Sequence, residues 1–249
     1  AGAGGGGGGG AQASKECSAF ATRLSAGTSD DGLLGPVKGV RSAPLMPLMD
    51  AALLSEVPDV DADAYMASEV GQLRARDDPH KLTADEAGAL TLYTMEGEFY
   101  PTLNRLLRVR DRTQLLPFLP YLRLMVQARD KLPRYKGLLW RGVKGVDLRG
   151  DFPVGKELFW WSFSSTTKQL STLQNPQFLG TDGVRTVFSI QVKDGVDIAR
   201  YSIFQGDQSE AEVLLYPGTK LRVVDTLDMG HSLFAVHLEQ VPLAVDLFK

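Results

Sequence analysis

The pattern of apolar residues changes at Pro133, and this change constrains the fold more than any other feature of the chain. Before Pro133, apolar residues recur at helical spacing in several segments. After it, they alternate with polar residues, most clearly over residues 184–192, as in a strand with one face on a core. Helices followed by strands predict an α+β fold and not a series of βαβ units.

The helical half contains one clear start signal. Thr83 and Glu86 have the spacing of a capping box, in which each side chain satisfies a backbone donor of the other. The acidic stretch 59–82 shows no such pattern and is expected to be irregular. Helices are predicted over residues 44–57, 83–93, 101–109 and 117–131.

The second half reads as short strands separated by turns that contain glycine. None of the glycines from Gly142 to Gly155 has the spacing of a dinucleotide-binding loop or a P-loop. Strands are predicted over residues 138–143, 158–163, 184–192, 212–215, 220–225 and 232–239.

The first 43 residues have a different composition from the rest. They begin with a glycine run and continue with Ser, Thr, Gly and Asp, so they bury too little apolar surface to offset the entropy of ordering. We expect residues 1–43 to be a disordered linker and residues 44–249 to form a single domain. Within it, the helical lobe should cover about 44–136 and the β core about 137–243.

Composition excludes several classes of protein. The net charge of -3 and the pI of about 5.7 argue against a general nucleic-acid binder. The single cysteine, Cys17, excludes an internal disulfide framework, and neither it nor the three histidines have the spacing of metal ligands, so we expect no metal. No apolar run approaches the roughly 18 residues of a membrane span. The N-terminus lacks the pattern of a signal peptide, and we expect an intracellular, cytoplasmic monomer.

Three short motifs, which lie within residues 139–143, 161–167 and 208–215, pair polar side chains with strand-forming neighbours. In LWRGV, the Arg141 guanidinium could bind two phosphate oxygens, and Gly142 would let a ligand approach the backbone. Taken alone, a surface ion pair at a strand end is an equally good interpretation. In WSFSSTT, a cluster of hydroxyls surrounds Ser165, which by itself is typical of turns.

The third motif, QSEAEVLL, holds two carboxylates at the start of a predicted strand. Glu210 and Glu212 are two residues apart, so in an extended segment both would point to the same side. Two solvated loop charges are the alternative. The apolar run from Val213 to Tyr216 favours a fixed position at the strand edge, as a reaction would require.

In their order along the chain, the three motifs resemble the arginine-specific mono-ADP-ribosyltransferases that carry an Arg-Ser-Glu triad. The resemblance extends from about residue 82 to residue 241 and includes the stretches LTADEAGALTLYT, FYPTLNRLLR and GLLWRGV. It implies that residues 44–249 are an ADP-ribosyltransferase catalytic domain. Its β core would be mixed and mainly antiparallel, with two packed sheets that form an NAD cleft.

The resemblance also implies roles for individual residues on the dinucleotide. Arg141 would bind the diphosphate and the adenosine-side ribose of NAD, with Gly142 beside it. Ser165 would steady the catalytic glutamate and contact the nicotinamide-side ribose, with Thr166 next to it in the cofactor-binding set. Thr167 departs from the family's Ser-Thr-Ser element, whose third residue is serine.

The same resemblance implies different roles for the two glutamates. Glu212 would be the catalytic glutamate and Glu210 would engage the acceptor arginine. An aromatic ring is expected over the nicotinamide, and Phe163 is one candidate among several nearby rings. We therefore predict transfer of ADP-ribose from NAD or NADP to arginine in a protein acceptor, through an oxocarbenium-like transition state. The alternatives are an NAD glycohydrolase and a noncatalytic module that binds a nucleotide or a partner.

Overall fold

A computed structural model of the protein describes residues 34–175, 178–205, 211–243 and 247–249. Most of the expected linker lies outside these residues. Its last part does not behave as a linker, because Val37 and Val40 are buried in the same core as the helices, and Val37 forms a β-bridge with Phe248. The expected boundary at residue 43 therefore comes too late, since two isolated valines anchor this segment.

Five α-helices in the described part of the chain form the helical lobe. The capping box is present: the Thr83 amide donates to Glu86 Oε2 at 2.8 Å, and the Glu86 amide donates to Thr83 Oγ1 at 3.2 Å. None of these helices combines the length and the apolar character that crossing a bilayer requires. The helices are α1 (Leu48–Leu53), α2 (Val60–Ala75), α3 (Ala84–Thr94), α4 (Phe99–Arg108) and α5 (Leu119–Lys131).

Helix α2 corrects the expectation that residues 59–82 are irregular. Its buried face consists mainly of small residues, which give little hydrophobic signal in the sequence. They allow a close approach to α3: a Cβ atom on Gly71 would lie 2.4 Å from the Ala84 carbonyl oxygen, and one on Gly88 would lie 2.9 Å from the Ala67 oxygen. The two helices are therefore stabilised by close contact between their backbones, and not by the packing of large side chains. The buried residues of α2 are Val60, Ala64, Ala67 and Gly71.

Seven strands in the described residues form the β core, and the α+β class is confirmed. All strand pairs are antiparallel except β4 with β7, so the sheet is mixed and mainly antiparallel as expected. The strands are β1 (Arg134–Lys144), β2 (Glu157–Trp160), β3 (Ser164–Thr167), β4 (Arg185–Asp197), β5 (Glu212–Leu215), β6 (Thr219–Asp228) and β7 (Leu233–Gln240).

The two expected sheets are joined into one hydrogen-bonded sheet. Its order is β1-β3-β5-β4-β7-β6-β2, and β1 also pairs with β4, which closes the first four strands into a ring. Leu139 of β1 and Leu158 of β2 stand at opposite ends of this order yet share one core with Val213. The sheet therefore curves over its own core, and the ring of β1, β3, β5 and β4 brings the three sequence motifs side by side.

The predicted strand 158–163 ends early, at Trp160, and a separate strand, β3, begins only at Ser164. The Phe163 amide between them donates to Asn104 Oδ1 of α4 at 3.0 Å. This bond to the helical lobe replaces a strand pairing. It also fixes where β3 begins, and hence where its hydroxyls lie.

Candidate active site

Three neighbouring strands bring together one residue from each motif. Arg141 lies on β1, Ser165 on β3 and Glu212 at the start of β5, and β3 pairs with both of the other strands. The Ser165 hydroxyl donates to Glu212 Oε1 at 2.6 Å, and Arg141 Nη1 donates to the Ser165 carbonyl oxygen at 2.6 Å. Ser165 thus links the cation to the carboxylate through its main chain and its side chain.

Glu212 is a buried carboxylate whose surroundings shift its pKa. Only 3% of the residue is exposed, and this burial raises its pKa above the ordinary value of a glutamate. Hydrogen bonds from Ser165 and Ser202 and the charge of Arg141 lower the pKa, but they do not offset the burial. A carboxylate in such a site interacts strongly with a nearby positive charge, because little water screens it.

Arg141 keeps its charge despite its surroundings. Burial lowers its pKa, whereas Tyr93, Tyr100 and Glu212 raise it. A guanidinium is not deprotonated in proteins, so Arg141 stays positively charged. A planar cation beside a buried carboxylate is suited to hold an anionic ligand close to that carboxylate.

Two residues of the helical lobe border the cluster, and sequence reasoning missed both. Tyr93 at the end of α3 is buried, which raises its pKa, and its hydroxyl accepts a hydrogen bond from Asn104 Nδ2 at 3.4 Å. Asn104 lies on the buried face of α4 and holds Phe163 in place. Their signal in the sequence was a polar group at a position where the helix pattern requires an apolar one.

Phe163 is not available as a ring over a ligand. It is 2% exposed and packs between Tyr93 and Tyr216, with ring centroids 5.3 Å and 4.9 Å away. Tyr100, whose ring centroid lies 5.9 Å from that of Tyr93, is 36% exposed. Of these rings, Tyr100 is the one that solvent reaches.

Two residues expected to bind the dinucleotide have other contacts. A Cβ atom on Gly142 would lie 2.8 Å from Leu179 Cβ, so Leu179 packs closely against this glycine. The Thr166 hydroxyl donates to the Val213 carbonyl oxygen at 2.6 Å and is buried between β3 and β5. Alternation along β3 explains this, because consecutive side chains point to opposite faces.

Thr167, which departs from the family pattern, ends β3. Its hydroxyl accepts from the Gln169 amide at 3.0 Å, and the residue is 5% exposed. A threonine hydroxyl makes this local bond as well as a serine would. The departure therefore leaves the turn after β3 intact.

The acidic motif is only partly described. Glu210 lies outside the described residues. Ala211 has φ of 46°, in the left-handed region, and so departs from the extended backbone on which the expected alternation of Glu210 and Glu212 depends. That Glu210 and Glu212 point to the same side stays a prediction.

Metal ligands are not clustered in the described residues. No group of three or more His, Cys, Asp or Glu side chains there could hold a metal ion. Arg141 and Glu212 are thus the charged groups that this cluster offers to a ligand, together with the hydroxyl of Ser165.

Comparison with known proteins identifies the family. A family model described as "ART: NAD:arginine ADP-ribosyltransferase" matches residues 61–241. The chain belongs to this family. Its enzymes take NAD as substrate, and the resemblance that the three motifs predicted is confirmed.

A curated relative is the erythroblast NAD(P)(+)--arginine ADP-ribosyltransferase of Gallus gallus. It is 31% identical over 166 residues, which are 62% of this chain and 51% of the relative. The aligned region therefore spans about half the length of that ADP-ribosyltransferase.

Solved ADP-ribosyltransferases share the fold. The Vis toxin of Vibrio splendidus, in complex with agmatine, is 22% identical, has a TM-score of 0.53 and covers 84% of this chain and 94% of its own. Exoenzyme S of Pseudomonas aeruginosa, in a complex bound to carba-NAD, is 22% identical, has a TM-score of 0.55 and covers 76% of this chain and 88% of its own. At these identities the likeness concerns the fold, which agrees with the ADP-ribosyltransferase architecture expected from the sequence.

Proposed function

We propose that the protein transfers ADP-ribose from NAD to the guanidinium group of an arginine in a protein acceptor and releases nicotinamide. The observation that carries this proposal is the hydrogen bond of 2.6 Å from Ser165 Oγ to Glu212 Oε1. Arg141 is joined to the same serine, so the three residues that the family resemblance singled out form one connected cluster.

Arg141 is proposed to bind the diphosphate of NAD. Its guanidinium can donate two parallel hydrogen bonds to phosphate oxygens, and such charge-assisted pairs are among the strongest hydrogen bonds in proteins. Ser165 lies between Arg141 and Glu212 and would contact the nicotinamide-side ribose. The dinucleotide would thereby be held with that ribose next to the carboxylate.

Glu212 is proposed to stabilise the transition state. When the bond between ribose C1′ and the nicotinamide nitrogen breaks, its electron pair leaves with neutral nicotinamide and positive charge develops on the ribose. Carboxylates stabilise the same kind of oxocarbenium ion in glycosidases. A fixed, buried carboxylate is effective because it needs no reorganisation during the reaction.

Glu210 is proposed to orient the acceptor arginine and to take its proton. An arginine guanidinium has a pKa above roughly 12 and is a poor nucleophile while it is protonated, so a base must orient it and take its proton as it attacks C1′. The name of the Gallus gallus relative specifies arginine, and the Vis structure holds agmatine, which carries the same guanidinium group. Both support arginine as the acceptor here.

A labelled-NAD assay tests the proposal. Purified protein is incubated with NAD labelled in the adenosine part, with and without agmatine, and ADP-ribosyl-agmatine and free ADP-ribose are separated. We expect the label to move to agmatine. Free ADP-ribose in equal amounts with and without agmatine would identify an NAD glycohydrolase instead, and intact NAD would identify a noncatalytic module. NADP in place of NAD shows whether a 2′-phosphate is accepted.

Glu210→Gln separates the two halves of the reaction. The amide cannot take the proton of the acceptor, so we expect transfer to agmatine to be lost while slow NAD hydrolysis continues. Equal loss of both activities would contradict the acceptor role of Glu210.

A further inference from the structure

A second element, residues 198–205, contacts Glu212 in addition to β3. We call it the Ser202 turn. The Ile198 amide donates to the Glu212 carbonyl oxygen at 3.1 Å, and the amides of Tyr201 and Ser202 donate to the Ile198 carbonyl oxygen at 2.8 Å and 3.0 Å. The turn is therefore bonded directly to the main chain of the glutamate.

The Ser202 hydroxyl also reaches the side chain of Glu212. Ser202 is 1% exposed, and its hydroxyl lies near enough to the Glu212 carboxyl group to lower the pKa of that group. The same oxygen accepts from the Phe204 amide at 3.3 Å. Because this bond occupies a lone pair, the hydroxyl hydrogen is available for the carboxylate.

The turn is cross-linked within itself. Gln205 Nε2 donates to the carbonyl oxygens of Ala199 and Ser202, both at 2.8 Å. The Ala199 amide donates to Asp197 Oδ1 at 3.2 Å, which ties the turn to the end of β4. These bonds hold Ser202 through contacts within the turn and to the end of β4.

The helical lobe holds the turn from the other direction. Thr91 Oγ1 of α3 donates to the Tyr201 carbonyl oxygen at 2.8 Å, and the Ile203 amide donates to Thr94 Oγ1 at 2.9 Å. The Tyr201 hydroxyl donates to Asp78 Oδ1 at 2.7 Å. Side chains of the helical lobe thus hold the residues on both sides of Ser202.

Asp78 anchors the Ser202 turn to the helical lobe. Its carboxylate is buried and accepts from the Leu82 amide at 2.9 Å, while Arg200 Nε lies 3.1 Å away. Both carboxylate oxygens therefore have partners, as a buried charge requires. The anchor joins the loop before α3 to the turn that touches Glu212.

We propose that Ser202 is a positioning residue for Glu212, and that Asp78 and Tyr201 hold the Ser202 turn in the place where it can act. This inference rests on the proposed role of Glu212 in cleaving NAD. Glu212 is then held from two sides. Ser165 contacts it from the sheet, and Ser202 contacts it from a turn that side chains of the helical lobe hold in place. The charged and titratable groups around it are Arg141 from β1 and Tyr93 from α3.

Ser202→Ala tests the inference. Loss of a hydrogen bond to a charged group should lower kcat for NAD cleavage by about tenfold, with KM for NAD unchanged. The acid limb of the pH profile should move to higher pH, because the lost bond favoured the ionised carboxylate. An unchanged acid limb would overturn the inference, since a residue with a purely structural role would not move it.

Tyr201→Phe is the second variant, should Ser202→Ala fail to fold. It removes only the bond to Asp78, and we expect a smaller shift of the acid limb in the same direction. The matched control is Tyr121→Phe, which removes an equally buried hydroxyl that donates to the Ala89 carbonyl oxygen at 2.9 Å within the helical lobe. Equal effects of the two tyrosine changes would contradict the proposed anchor.

A readout without turnover separates this inference from the proposed function. The Glu212 carboxyl carbon is titrated by NMR in the wild type and in Ser202→Ala, and we expect its pKa to be higher in the variant. A wild type that does not cleave NAD would refute the proposed function alone. A Glu212 titration that is the same in both proteins would refute the role of Ser202, whatever the activity.

Discussion

The strand side and the helical-lobe side of Glu212 are built by different kinds of bond. On the strand side, Arg141 and Ser165 take their positions from main-chain pairing among β1, β3 and β5. On the lobe side, Tyr93 and Ser202 are placed by side chains, through Asn104 and through Thr91, Thr94 and Asp78.

The difference predicts how substitutions act on each side. Main-chain ladders persist when a side chain is changed, so a strand-side substitution should remove chemistry and leave the fold intact. A lobe-side substitution removes bonds that hold elements together, so it should cost stability as well. Four changes test this contrast, from the largest expected effect to the smallest.

Glu212→Gln should have the largest effect. The amide has the same shape but no charge, so the oxocarbenium-like ion loses its counter-charge, and we expect NAD cleavage and transfer to fall about a thousandfold. The free energy of unfolding should change little. Both are measured, by the labelled-NAD assay and by urea denaturation.

The control for this change is Glu157→Gln, a partly exposed glutamate on β2 that pairs with Lys220. It should leave activity unchanged. Near-normal turnover of Glu212→Gln would contradict the role of Glu212 and the contrast between the two sides.

Arg141→Lys should weaken NAD binding without unfolding the protein. Lysine keeps the charge but cannot donate two parallel hydrogen bonds, so we expect the Kd for NAD, measured by calorimetry, to rise about 10- to 100-fold. Arg185→Lys is the matched control, because Arg185 is a buried arginine on β4 that donates to the Gly183 and His231 carbonyl oxygens. An equal loss of affinity in both variants would count against a direct contact of Arg141 with NAD.

The strand side was the more predictable from the sequence. Period-two alternation marks a strand, and the predicted strand 212–215 has the bounds of β5. The order of Arg141, Ser165 and Glu212 along the chain then carried the family resemblance. A local pattern was also sufficient to predict the start of α3, where the capping box of Thr83 and Glu86 is formed.

The lobe side was less predictable because its determinants are long-range. The bond from Tyr201 to Asp78 joins residues 123 positions apart, and no local pattern encodes such a pairing. Helix α2 was missed because its buried face is made of small residues. The left-handed backbone at Ala211 was missed because alanine rarely adopts that conformation.

Gly71→Ala tests the packing of the helical lobe. The new Cβ atom would meet the Ala84 carbonyl oxygen at 2.4 Å and the Gly88 amide nitrogen at 2.6 Å, and neither backbone atom can move without separating α2 from α3. We expect a loss of about 2 kcal/mol in the free energy of unfolding, measured in urea, although alanine favours a helix.

The control for Gly71→Ala is Gly150→Ala, where a Cβ atom would meet no atom within 4 Å. It should leave stability nearly unchanged. Equal stability of the Gly71 and Gly150 variants would mean that α2 and α3 tolerate a wider separation than their close contact suggests.

Asp78→Asn should have the smallest effect, and its size should depend on pH. Burial by itself raises the pKa of Asp78. The hydrogen bonds from the Leu82 amide and the Tyr201 hydroxyl, together with the charge of Arg200, lower the pKa by a larger amount, so it lies below the ordinary value of an aspartate. The charged form therefore stabilises the fold above the unfolded pKa of about 3.9, and this stability is lost as the pH falls through the folded pKa.

The stability gap between the wild type and Asp78→Asn should accordingly be about 1 kcal/mol at neutral pH and close as the solution becomes acidic. Urea denaturation at a series of pH values measures it. Asp182→Asn, at an exposed loop position, should show no gap at any pH. A gap for Asp78→Asn that is the same at every pH would mean that the shape of the side chain, and not its charge, anchors the Ser202 turn to the helical lobe.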